Sequence, residues 1–422
     1  MSRVSAGVEI VVDVVGVAHG GSVVARHEGR VVFVRHALPG ERVRARVTAG
    51  DAEARYWRAD AVEILSPSPD RVRPPCPYAG PGRCGGCDWQ HVDLPAQRKL
   101  KAKVVEEQLR RLAGLTREVH VEAVPGDEDG LGWRTRVTYA IGDDDHAGLR
   151  RHRSHDVIPI DRCAIAHPVV RSIGVESRSW PGVTSVEAVG SVSGERQVIV
   201  EPGQRDVEPP DLDDDVSVTM LDERGRPRII RGDGAVTETA AGRRWRVTGG
   251  GFWQVHPGAA ETLVEAVIES LRPRPGERVL DLYSGVGLFA GVLADAVGDG
   301  GSVAAVEGDR VAVTDARHNL SDLPHVSVHA GPVDRVLGRK SDLAADIVVL
   351  DPPRAGAKLP VVAEIARRGP RAISYVACDP AALARDISTF AAHGYELTGL
   401  RAFDLFPMTH HVECVAILKP VP

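Results

Sequence analysis

No run of about 18 apolar residues occurs in the chain, so no membrane-spanning helix is expected. The first residues, MSRVSAGVEIVVDVVG, alternate like a strand and lack the apolar core and small-residue cleavage site of a signal peptide. Cysteine is scarce, with six in 422 residues, and three of them fall between positions 76 and 87. That distribution argues against a secreted disulfide framework and for a cytoplasmic protein with a metal or redox cluster. A basic excess is also missing. The formal net charge of −6 gives no argument for nucleic acid, so charge has to be read region by region. What is present, 43% hydrophobic and 26% charged residues, is ordinary for a globular protein, and the length calls for two or three domains.

Residues 1–65 read as a small β domain. Val8, Ile10 and Val12 alternate with Glu9 and Asp13, and glycine turns separate further short strands. A five-stranded barrel of oligonucleotide-binding shape is expected. Nine arginines against eight acids over 1–63 make it no basic block. Ser66-Pro67-Ser68-Pro69 and Pro74-Pro75 mark a linker.

Residues 66–248 read as a β-rich central domain opening with the Gly- and Pro-rich loop CPYAGPGRCGGCDWQH. An amphipathic helix follows over 95–114, with Leu100, Val104, Val105, Leu109 and Leu112 on one face and Gly114 as its stop. Nine basic side chains against four acidic ones over 71–115 make this helix a candidate phosphate-facing element. Short strands fill 119–248, with the acidic stretch DVEPPDLDDD (206–215) as an exposed loop. From 249 to 422, strands and helices alternate as in a doubly wound parallel α/β sheet.

Four motifs carry chemistry. Asp281-Leu-Tyr283-Ser-Gly285-Val-Gly287 follows a buried strand and opens a helix, so its glycines let the backbone approach a ligand. Glu307 ends the next strand at the spacing of a ribose-binding acid, and the acid four residues before the first glycine suits S-adenosylmethionine better than a dinucleotide. Asp351-Pro352-Pro353-Arg354 ends another buried strand, where Arg354 argues against amino-group methylation. Cys378, in SYVACDPAALARD, stands between a strand and a helix N-terminus whose partial positive charge favours thiolate. Glu413 begins the last strand and could face the same rim, whereas Cys414 falls on the opposite, core face. Cys76, Cys84, Cys87 and Cys163 form a candidate four-thiolate site, for which spacing leaves zinc and iron–sulfur both open.

Together these residues resemble the RNA (uracil-C5)-methyltransferases of the TrmA/RumA type over nearly the whole chain. The resemblance implies a TRAM-like, RNA-binding N-terminal barrel and a Rossmann-like S-adenosylmethionine domain. It also implies a [4Fe-4S] cluster on Cys76, Cys84, Cys87 and Cys163, which tips the metal question toward iron. Phe252-Trp-Gln254-Val-His256 is similar to the family's F-x-Q-x-N, which makes Gln254 a cofactor contact, with Tyr283, Gly285, Glu307 and Asp351. Cys378 matches the nucleophile and Glu413 the general base. His256, Leu288 and Pro332 depart from the pattern and bear on cofactor binding alone.

The expected substrate is a uridine of ribosomal or transfer RNA, flipped or looped out, with the basic helix, Arg134 and Arg136 as phosphate contacts. The protein is expected to be a cytoplasmic monomer. The competing readings are another S-adenosylmethionine-dependent RNA methyltransferase, such as a cytosine-C5 enzyme, and a non-catalytic iron–sulfur RNA-binding protein.

Overall fold

The computed structural model describes residues 7–51, 53–203, 207–340 and 343–422. The first six residues of the strand-like N-terminus, Arg3 among them, and Asp206 at the head of the acidic loop lie outside the described residues.

Five strands, β1 (Glu9–Val17), β2 (Val23–His27), β3 (Arg30–Arg35), β4 (Arg42–Ala49) and β5 (Tyr56–Ser66), close into a barrel in the order β1-β2-β3-β5-β4. Period-2 alternation turns Ile10, Val12, Val14, Val32, Val34, Val43 and Val47 inward, filling the interior with β-branched side chains. Beyond the linker, Asp93 caps helix α1 (Leu94–Gln108) by accepting from the Ala96 amide.

The helix ends in a π-turn over Leu109–Ala113, with Gly114 in the left-handed region. The widened turn takes Leu112 out of phase with the apolar stripe, and Leu112 is exposed rather than buried as the periodicity predicts. Two faces of α1 are buried, not one. Leu100 and Val104 pack with Val17, Leu38, Trp89 and Val92 beside the barrel, while Ala102, Val105 and Leu109 join the core of the C-terminal sheet.

A seven-stranded sheet occupies the middle of the chain. Its strands are β7 (Arg136–Ile141), β8 (Ala147–Arg150), β9 (Val157–Pro159), β10 (Val183–Gly190), β11 (Arg196–Pro202), β12 (Val216–Leu221) and β13 (Pro227–Arg231), ordered β13-β12-β11-β10-β7-β8-β9. A short helix, α2 (Pro168–Arg171), lies between β9 and β10. The hairpin β14 (Ala235–Ala240) and β15 (Arg243–Thr248) stands apart and packs Trp245 against the C-terminal helices.

The C-terminal sheet has eight strands in the order β18-β17-β16-β19-β20-β22-β21-β6. They are β6 (Val121–Glu122), β16 (Arg278–Leu282), β17 (Ser302–Glu307), β18 (Val326–Ala330), β19 (Ile347–Leu350), β20 (Ala372–Ala377), β21 (Tyr395–Phe403) and β22 (Glu413–Pro420). Helices α3 (Ala259–Leu271), α4 (Leu288–Val297), α5 (Arg310–Asn319), α6 (Val333–Arg339), α7 (Lys358–Arg368) and α8 (Pro380–Ala392) cover it. Two separate apolar clusters flank the sheet, as doubly wound sheets require. The five strands from β18 to β20 are parallel, and β22 runs antiparallel between β20 and β21. No helix among the described residues is long and apolar enough to cross a membrane.

Candidate active site

The carboxyl ends of the parallel strands form one rim, and the chemistry gathers there. All six residues of β20 are buried, so its end at Ala377 is fixed, and Cys378 occupies the turn into α8. Asp379 caps α8, its Oδ1 accepting from the Ala382 amide at 2.7 Å. Strands β20 and β22 pair antiparallel with Ala377 opposite Cys414. Cys378 follows Ala377 and Glu413 precedes Cys414, so both leave this pairing at the same rim, where the Glu413 carboxyl acts on the Cys378 thiol. Cys414 turns into the core and is fully buried. Asp351 follows β19, on the neighbouring strand end, and its amide donates to the Leu282 carbonyl at 3.2 Å.

Burial dominates the electrostatics of this rim. It pushes the Cys378 thiol up to about 12, with the Glu413 and Asp351 carboxyls adding and Arg354 opposing. The helix N-terminus was expected to favour thiolate; desolvation and two acids outweigh it. Burial likewise lifts Glu413 well above the ordinary carboxyl range, with Asp351 adding, and lifts Asp351 itself to about 7. Asp281 rises to about 8 for the same first reason.

The neighbouring turn is shaped for close approach. Tyr283 holds φ +61°, a strained value for an aromatic residue, and Gly285 and Gly287 hold +54° and +97°. The left-handed φ of Gly287 favours glycine, and a Cβ there would also press on the Leu320 side chain at 2.8 Å. The Gly285 amide donates to Glu307 Oε2 at 2.9 Å and the Asp309 amide to Oε1 at 2.6 Å, which locks Glu307 at the rim with lone pairs to spare. Both carboxylate oxygens of Asp281, and the Ser284 hydroxyl, are buried without a partner.

Gln254 sits in the loop before α3. That loop is anchored by the Val255 carbonyl, which accepts from the Thr135 amide at 2.8 Å and hydroxyl at 3.0 Å. Phe252 beside it is 65% exposed. His256 is buried over Trp133 at 6.0 Å and accepts through Nδ1 from the Gly258 amide. Leu288 is buried in the first turn of α4, and Pro332 is exposed. Orphaned Asp281, a left-handed turn and a row of acids suit a ligand carrying cationic sulfonium and ammonium groups with ribose hydroxyls. S-adenosylmethionine fits that description.

The four clustered cysteines lie elsewhere. Cys76, Cys84, Cys87 and Cys163 all line one cavity of about 670 Å³, together with Arg134, Arg151, Arg153 and Arg162. Burial raises the Cys163 thiol to about 11 and raises Cys84 and Cys87 as well. Among the described residues, no three His, Cys, Asp or Glu side chains gather closely enough to hold a metal ion.

Of the side chains expected to meet phosphate, Lys101 and Arg136 are internal and Arg134 is half-buried, whereas Lys99 and Lys103 of α1 and Arg110 and Arg111 of its π-turn are exposed. Lys101 is fully buried, paired with Asp404, and donates to the Phe406 carbonyl at 3.0 Å. Arg136 is buried and donates to the Gly251 carbonyl at 3.0 Å. Arg134 donates to the Arg136 carbonyl at 2.9 Å beside the cysteine cavity. Counting charge along a helix cannot separate a solvated face from a buried pair, and so the sequence missed what α1 does. One turn before Lys101, Gln97 accepts from the Met408 amide at 2.8 Å. Together they clamp the loop 404–412 that leads into Glu413. Asp88, next to Cys87, grips the same loop through His410 Nδ1 at 2.6 Å and meets Arg35 of the barrel at 3.3 Å.

Comparison with known proteins places the chain. Residues 3–62 match the TRAM domain, residues 258–343 match protein-L-isoaspartate(D-aspartate) O-methyltransferase, and residues 337–421 match tRNA (uracil-5-)-methyltransferase. An uncharacterized RNA methyltransferase of Streptomyces avermitilis is 55% identical, the alignment covering 98% of this chain and 99% of that protein. The chain belongs to this family of RNA methyltransferases. A relative from Bifidobacterium longum is 39% identical over 95% of this chain and 94% of its own. Among solved structures, the Pyrococcus abyssi tRNA (uracil-54, C5)-methyltransferase in complex with S-adenosyl-L-homocysteine superposes with a TM-score of 0.72 at 24% identity. That match covers 96% of this chain and 99% of the other, so the two RNA methyltransferases share a fold from end to end.

Proposed function

We propose that this RNA methyltransferase transfers a methyl group from S-adenosylmethionine to C5 of a uridine in ribosomal or transfer RNA. The observation that supports the proposal is the pairing of β20 with β22, Ala377 opposite Cys414, which brings Cys378, Glu413 and Asp351 close enough for both carboxyls to act on the thiol. Uracil C5 is a poor nucleophile, and a thiol positioned to add at C6 removes that obstacle.

In the proposed sequence the Cys378 S–H bond breaks with its proton released to solvent, the thiolate sulfur bonds to C6, and the C5–C6 double-bond electrons move onto C5 and O4. The bound cofactor supplies the electrophilic methyl that C5 takes. Glu413 accepts the C5 proton, the C5–C6 double bond re-forms, and the Cys378–C6 bond breaks. The thiol never carries the methyl group. Gln254, Tyr283, Gly285, Glu307 and Asp351 are the proposed cofactor contacts, and the orphaned Asp281 adds a buried acid to them. The TRAM-like barrel binds RNA, and the uridine enters flipped out of its stack.

The four-cysteine cavity is proposed to hold a [4Fe-4S] cluster on Cys76, Cys84, Cys87 and Cys163. A cluster places each thiolate on its own iron and so needs a wider void than one zinc ion, and the lining arginines offset its negative charge. The methyl transfer needs no electrons, so the cluster's role is structural. Iron and sulfide content of anaerobically purified protein, with Cys87→Ser as control, tests this; iron-free protein of full activity would refute it.

The function itself is tested by incubating the full chain with labelled S-adenosylmethionine and separate ribosomal and transfer RNA transcripts, then digesting to nucleosides. 5-Methyluridine is expected. 5-Methylcytidine would replace this reading with the cytosine-C5 one, and no labelled nucleoside would favour a binding protein.

A further inference from the structure

We infer that the open edge of the catalytic sheet carries a second RNA-phosphate contact, formed by Arg317 of α5 with Arg335, Arg339 and Lys340 at α6. The inference rests on RNA being the substrate and goes beyond the Cys378 pocket. Strand β18 pairs with β17 alone, which leaves its outer side as the sheet's edge. A cavity of about 480 Å³ lies along that edge, lined by Arg317, Arg335, Arg339 and Lys340 and, among the described residues, by no acid.

Some exposed arginines elsewhere are neutralised: Arg44 meets Glu63, Arg46 meets Glu9, Arg226 meets Asp222 and Arg278 meets Asp346. What distinguishes this patch is that four cations share one cavity with no acid among the described residues lining it. None of the four cations of the patch has a carboxylate partner among the described residues, although the chain as a whole carries a charge of −6. Arg317 donates to the Val328 carbonyl at 3.5 Å. Arg335 and Arg339 lie four residues apart on one face of α6. Gathering like charges in this way costs energy unless an anion joins them.

Protection of a strand edge against pairing is the competing explanation. Edge protection puts the charge on the strand, whereas here the arginines reach in from two helices and converge on a cavity. The patch begins at Gly331, on the same rim as Glu307 and Cys378. Four strand spacings separate β18 from β20, which is about 19 Å, within reach of a folded RNA whose target base sits at Cys378. A phosphate backbone supplies a row of anions at such distances; a small acidic ligand would not span them.

The test compares wild type with R335A/R339A, two exposed positions, and with R226A/R367A, which removes equal charge from paired sites. RNA affinity for transfer and ribosomal transcripts is measured against salt, alongside KM for RNA and kcat. The inference predicts that log K against log salt becomes shallower by about 2 in R335A/R339A only, with KM raised and kcat unchanged. Slopes equal to wild type, or an equal loss in both variants, would overturn it and leave the patch to an acidic protein partner. Wild type that binds neither RNA would instead sink the RNA reading, and this inference with it.

Discussion

At the scale of single residues, Cys378 and Glu413 are a pair whose protonation is set by burial. Removing the carboxylate should separate the steps: Glu413→Gln retains addition at C6 but cannot take the C5 proton. Its turnover should fall by about 10²–10⁴, and a covalent RNA adduct should accumulate on unmodified uridine RNA. A rate loss without that adduct would give Glu413 another role. The raised thiol also predicts that kcat/KM climbs with pH above neutrality, since thiolate is the reactive form.

Asp281 gives a stability test with a defined sign. Its folded value, about 8, lies above the ordinary carboxyl value, so the folded state holds a proton that the unfolded chain releases. Stability therefore falls as pH rises from about 4 to about 8. Tm of the cofactor-free protein should drop between about pH 6 and pH 8, and Asp281→Asn should flatten the curve. The residue identities were legible in the sequence because each stands at or beside the end of a strand on one rim, where α/β sheets present their chemistry. Their ionisation was not legible, because it depends on which acids the register brings together.

At the scale of elements, α1 decides where the catalytic loop sits. Its existence and its C-terminal end could be read from the apolar spacing and Gly114, and the structure adds Asp93 as its N-cap. Its burial on two sides could not, because Lys101 reads as solvent-facing until Asp404, some three hundred positions away, is brought against it. Breaking that buried pair with Lys101→Met should cost about 3–5 kcal/mol, whereas Lys101→Met with Asp404→Leu should recover much of it. Thermal unfolding of the three proteins checks this, and additive losses would contradict it. Short strands are expected throughout 119–248, but β8 and β13 cannot be placed individually from the sequence, for a related reason. Neither shows a period-2 pattern, and Ile229 and Ile230 of β13 are both exposed.

At the scale of the whole molecule, three parts of the chain meet at one loop. Arg35 of the barrel and His410 of the catalytic loop share Asp88, which adjoins Cys87. His19 of the barrel meets Asp379, next to Cys378, at 3.1 Å. The barrel is therefore docked on the catalytic rim, an arrangement that the linker prolines gave no means to foresee. Asp88→Ala should weaken the docking by about 2 kcal/mol and speed proteolysis within residues 66–75, without altering the barrel's own strands. Unchanged cleavage would show that apolar packing around Trp89 suffices.

The central claim is that Cys378 forms a transient bond to C6 of uracil, and RNA containing 5-fluorouridine tests it most directly. Fluorine at C5 cannot leave as a proton, so with S-adenosylmethionine present the wild-type chain should migrate on a denaturing gel as a covalent RNA adduct. Cys378→Ala should form none. Wild type that methylates uridine RNA yet leaves no adduct on the fluorinated RNA would contradict the account.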